Sequence, residues 1–77
     1  MRDPYDIVEG NIVGETPKAI CLNNALWSCE PVEHQIGGDF WIPKANIHEE
    51  SSDTIDEALR GDKIEIHVAR WWLKQEV

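Results

Sequence analysis

The chain has 77 residues, with seven Lys and Arg against fifteen Asp and Glu, a formal net charge of −8, and a hydrophobic share of 42% that includes four tryptophans. That length allows one domain at most, and the apolar share argues against intrinsic disorder. Seven basic residues, scattered singly, cannot form the phosphate-neutralising stripe of a nucleic-acid binder, and the acidic excess weighs equally against anionic membrane surfaces.

From the N-terminus, Tyr5–Val13 is rich in β-branched residues and broken by Gly10, which predicts a strand with a bulge or bend at the glycine. Gly14–Pro17 is a turn signal, and Lys18–Leu22 reads as a second strand in a hairpin with the first. The adjacent Asn23 and Asn24 are expected to end it. A short irregular strand is expected around Leu26–Cys29, followed by a loop to Gly37-Gly38. Residues 39–47 form the next strand, with Phe40 and Ile42 on one face and Trp41 on the other. Pro43 has no N–H for a ladder, which places this strand at a sheet edge or ends it there.

The acidic stretch 48–62 contains Thr54 and Glu57 at capping-box spacing, with Ile55, Ala58 and Leu59 on one helical face. A short helical turn stopped by Gly61 is expected. Residues 62–70 alternate most clearly, pointing Ile64, Ile66 and Val68 inward and Lys63, Glu65 and His67 outward. The tail from Ala69 lacks a turn former and either continues that strand or forms a short helix; the helix, which puts Ala69, Trp72 and Leu73 together, is favoured. The resulting expectation is a mainly β single domain spanning 1–77. Its architecture is a small, strongly bent antiparallel sheet or a partly closed barrel, with one or two helical turns.

Two resemblances attach to these residues. Ala58–Val68 (ALRGDKIEIHV) is similar to a phrase in small barrels of the OB and SH3-like kinds, where a Leu-x-x-Gly-Asp turn feeds an alternating strand. Over residues 40–74, the WIPKANIH phrase, the Gly-Asp turn, the strand and the Trp-Leu tail resemble a group of small bacterial and phage proteins carrying a WIPKS-x-I phrase. The chain departs from that pattern by Ala45 in place of serine, by a longer acidic linker and by the doubled tryptophan Trp71-Trp72. The resemblance implies a compact β domain in a phage or prophage setting and implies no activity.

No catalytic or cofactor motif stands out. Cys21, Cys29, His34 and His48 have the right chemistry for zinc, but successive spacings of eight, five and fourteen residues lack the close pair that structural zinc uses. There is no nucleophile elbow or phosphate-binding glycine loop, and the acids of 49–57 lack the central glycine of a calcium loop. The two cysteines are expected to be reduced and buried, and no run nears the ~20 apolar residues of a membrane span. With no signal-peptide core after Met1, the expected location is cytoplasmic.

These residues favour protein binding over catalysis, with no metal or cofactor. Trp71 and Trp72 are adjacent and hard to bury together in one small core, so an exposed indole or a homo-oligomer contact is expected, against the alternative that all four indoles line the core with their N–H groups on carbonyls. The candidate contact residues are Trp41, Lys44, Trp71 and Trp72, with Glu49, Glu50 and Asp53 as an acidic fringe for a basic, nucleic-acid-handling partner. The alternative is a nucleic-acid-associated barrel that uses Trp41 and His67 as a stacking platform.

Overall fold

A computed structural model describes residues 4–29 and 32–76. Four strands, β1 (Tyr5–Glu15), β2 (Ala19–Cys29), β3 (Val32–Pro43) and β4 (Lys63–Ala69), form one antiparallel sheet in the order β3-β2-β1-β4. Three consecutive strands followed by a fourth that returns beside the first is the Greek-key order. The sheet is mainly β as expected and stays open, not closing into a barrel. Two short helices, α1 (Ser52–Glu57) and α2 (Arg70–Glu76), complete the fold.

The period-2 pattern of the strands decides the faces. Val8 and Ile12 of β1, Ile20 and Leu22 of β2, Ile42 of β3, and Ile64, Ile66 and Val68 of β4 are buried on one face. That face is covered by Ile55 of α1 and Leu73 of α2. Gly10 is where β1 and β2 come closest. A Cβ there would stand 3.1 Å from the Asn23 carbonyl oxygen, 3.1 Å from Leu22 Cβ and 3.2 Å from Ala25 Cα, so only glycine fits without a shift. The β1–β2 register slips at this glycine, as the sequence predicted, and again between Ile12 and Gly14.

The middle of the chain differs from expectation. Asn23-Asn24 does not end a strand; β2 runs on to Cys29, with Asn24 at a φ of 54°. Gly37 and Gly38 oppose that single asparagine, so the register of β2 against β3 shifts between Asn23 and Ala25. The turn residues thus form a β-bulge, which inserts residues without stopping the ladder. In place of the expected loop to the double glycine, β3 already begins at Val32 and pairs with β2 from Cys29↔Val32 onward.

The crossover from β3 to β4 wraps the far edge of β4. Ile47 bridges Val68, the His48 N–H donates to the His67 carbonyl at 2.8 Å, and the His67 N–H donates to Ser51 Oγ at 3.0 Å. Helix α1 starts at Ser52, two residues before the expected Thr54 cap, and Ser51 bonds β4 rather than capping the helix. It ends at Glu57 with Ala58 already extended, which turns Leu59 out to 73% exposure instead of onto the core face. Asp62 then closes the turn by accepting from the Leu59 N–H, and Gly61 sits at a φ of 96°, where a side chain is disfavoured. Of the strand and the helix open to the tail, the favoured helix forms, but from Arg70: Ala69 ends β4 and is buried there, while Leu73 is buried and Trp72 half-buried on α2.

Candidate functional site

Both helices lie on the core side, so the opposite face of the sheet carries no covering element among the described residues. Register gives its composition. One row across the sheet runs Gln35, Leu26, Glu9 and Glu65; the next runs Glu33, Ser28, Ile7 and His67; a third runs Asp39, Asn23, Asn11 and Lys63. Trp41 stands beyond them, opposite Cys21.

This face is apolar and acidic together. Ile7 is 38% exposed and Trp41 49% exposed, with Leu26 and Val13 half-buried between the strands. Glu9 and Glu65 are directly opposed, an arrangement that costs stability when both are charged. Lys63 approaches Glu9 at 3.7 Å but is itself well exposed, so it screens the pair only weakly. With Glu33 and Asp39 the strands present four carboxylates here against one lysine.

Trp41 is seated rather than loose. Its indole lies over Gly14, where an added Cβ would be 3.4 Å from the ring, and beside Cys21. The Cys21 side chain is buried, as expected for that residue. Burial pushes its thiol up, the Asp39 charge adds to this, and a backbone bond from Phe40 opposes it only in part. A raised thiol is a poor nucleophile at neutral pH. The Cys29 side chain lies outside the described residues.

The other expected contact residues are dispersed. Lys44 forms an ion pair with Glu15 and lines a small cavity with Ile47, Ser52, Ile55 and Asp56, so it turns toward α1 rather than standing beside Trp41 on the open face. Glu49 and Glu50 are exposed on the turn against the β4 edge, and Asp53 is exposed on α1. Trp41 belongs to the opposite edge strand. Trp71 is 59% exposed on α2, on the core side of the sheet, while Trp72 packs on Phe40 with ring centroids 5.4 Å apart. Trp41 and His67 share the open face, but β2 and β1 lie between their strands with Glu9 among the intervening side chains.

The zinc-competent residues do not assemble. His34 stacks near Trp27 at 5.1 Å and His48 meets Tyr5 edge-on at 4.7 Å. Among the described residues, no group of three or more His, Cys, Asp or Glu is placed to hold a metal ion. Also among them, no helix is long and apolar enough to cross a membrane.

A polar cluster invisible in the sequence closes the other side. The Trp27 Nε1–H donates to Asp6 Oδ2 at 3.0 Å, and Arg70 donates to Asp6 Oδ1 through Nε at 2.9 Å and Nη2 at 2.7 Å. Asp6 is only 8% exposed. Burial alone would raise its carboxyl, but the bonds from Arg70 and Trp27 and the charges of Arg70 and Lys74 prevail and hold it below the ordinary aspartate value. The cluster joins β1, β2 and α2 and, among the described residues, leaves no buried side-chain nitrogen or oxygen without a hydrogen-bond partner, so it acts as a structural clamp.

Sequence reading missed Glu9, Glu33, Asp39 and Leu26 as face residues, because their grouping depends on which strands pair. Compared with known protein families, curated proteins and solved structures, the chain shows no match.

Proposed function

We propose that the chain is a protein-binding module whose uncovered sheet face docks a positively charged surface of a partner protein. The observation that carries this reading is the opposed Glu9–Glu65 pair, set on a face with exposed Ile7 and Trp41 and, among the described residues, no covering helix. Like charges held face to face are a cost in the free protein, and a partner's Lys or Arg would relieve it. Half-exposed apolar side chains supply the area that charge alone does not, and tryptophan is a frequent interface anchor. The likeness of residues 40–74 to small phage and bacterial proteins supports an accessory role. In that role the carboxylates would occupy the basic groove of a nucleic-acid-handling enzyme.

The test uses intrinsic fluorescence, with poly-L-lysine as a cationic protein-like probe and single-stranded DNA as the competing class. Binding to polylysine that weakens with salt, and weakens at least tenfold in Glu65→Lys or Trp41→Ala, is expected. No response to polylysine at low salt would overturn the reading, and salt-dependent binding of the DNA would favour the stacking alternative.

A further inference from the structure

The sheet has two outer edges, and they are treated differently. The β4 edge is occupied by the crossover: Ile47 bridges Val68, and His48 and Ser51 take up both backbone groups of His67. Along β3, no other segment pairs with the outer edge among the described residues. An unpaired strand edge is a template for another strand, and proteins usually blunt it with lysines, prolines or a covering element. β3 contains no Lys or Arg in twelve residues, and its proline comes only at the end.

Ladder alternation identifies the available groups. The Lys44 N–H donates to the Lys18 carbonyl at 2.8 Å, in line with the register Ala19↔Pro43, Ile20↔Ile42 and Cys21↔Trp41. Bonded and non-bonded pairs alternate along an antiparallel ladder. Ile42 and Phe40 therefore direct their backbone groups to β2, while Trp41 and Asp39 direct theirs outward. Pro43 falls on an outward position, where a missing N–H breaks no bond to β2.

We propose that the outer edge of β3 at Asp39–Trp41 receives an extended, lysine- or arginine-bearing segment of a partner protein as a fifth strand. This rests on the reading of the open face as a binding surface and adds the mode of attachment. The occupant follows from charge. The charged side chains on β3 are Glu33 and Asp39, both on the open face, and two copies of a chain with a net charge of −8 would meet there with like sign. An incoming strand alternating basic and apolar residues instead sets its cations along the open face, beside Glu33, Asp39 and the Trp41 indole, and its apolar residues on the face of Ile36 and Phe40.

The probe is a synthetic twelve-residue peptide alternating lysine and valine, added to the isotope-labelled full chain and read by NMR hydrogen exchange. In the free protein the amides of Asp39 and Trp41 exchange fast and those of Phe40 and Ile42 slowly. The peptide is expected to slow Asp39 and Trp41 at least tenfold and leave Phe40 and Ile42 unchanged. If the Trp41 indole resonance shifts while both outward amides stay fast, the fifth strand is overturned and the open-face reading survives. If neither responds, both are overturned. If the two amides become protected as the protein is concentrated without peptide, a second copy is the occupant and the proposal fails.

Discussion

Arg70 reaches back 64 residues to bond Asp6 through both Nε and Nη2, at 2.9 and 2.7 Å, tying the last helix to the first strand. Because Asp6 is nearly buried and also holds the Trp27 indole, its removal takes the carboxylate from the Arg70 guanidinium and the acceptor from the Trp27 N–H at once. Breaking a buried pair from one side costs about 3–5 kcal/mol. Asp6→Ala is expected to lower the free energy of unfolding by about 3 kcal/mol in urea denaturation, a large share of what a 77-residue domain has. A loss under about 1 kcal/mol would show that the cluster is not a clamp.

The same carboxylate sets an acid limit. Its folded value lies below that of an ordinary aspartate, so the folded state favours the ionised form more than the unfolded chain does. The stabilisation is complete above the unfolded value and disappears as pH falls through the lower, folded one. Unfolding free energy should therefore decline below about pH 4. In Asp6→Asn, which starts less stable, that part of the decline should be missing. Parallel curves for the two proteins would exclude Asp6 as its source.

Glu65 offers the opposite trade. Replacing it by threonine removes a like charge opposed to Glu9 and adds a β-branched residue to a strand. Glu65→Thr is expected to stabilise the fold by about 0.5 kcal/mol while weakening polylysine binding. Thermal unfolding and a binding titration on the same preparation check both halves. A variant that is more stable and binds equally well would separate the pair from function.

How much of this was legible in the sequence depends on range. Alternation in Lys63–Ala69, the bend at Gly10, the edge position of Pro43 and the helical tail with Leu73 inward are local patterns, and each appears as expected. The paired asparagines misled because Asn24, at a φ of 54°, adopts a turn-like conformation that a bulge also uses. Leu59 misled because a helix of six residues ends before its periodicity reaches that position. Of the open face only single outward residues, Lys63, Glu65, His67 and Trp41, could be read, and not their grouping, since Glu9 meets Glu65, and Leu26 meets Gln35, only through strand order. Trp41 was assigned correctly to the outward side, whereas Lys44 turns away to Glu15 because the chain leaves the strand at Pro43.

Trp41 gives a last test that separates its local role from its contact role. The indole lies on Gly14 and its residue pairs with buried Cys21 across the strands, so its loss should open a path to the thiol without removing a core side chain. Trp41→Ala in a Cys29→Ser background, which leaves Cys21 as the only thiol, is expected to lose about 1 kcal/mol, because half of the ring is already in water. The reaction of Cys21 with Ellman's reagent in native buffer should accelerate at least tenfold over Cys29→Ser alone. It should also rise with pH, since burial and the Asp39 charge raise the thiol and only the thiolate reacts. An unchanged rate would mean that Cys21 is shielded by the strands themselves, leaving the Trp41 side chain free to serve contact alone.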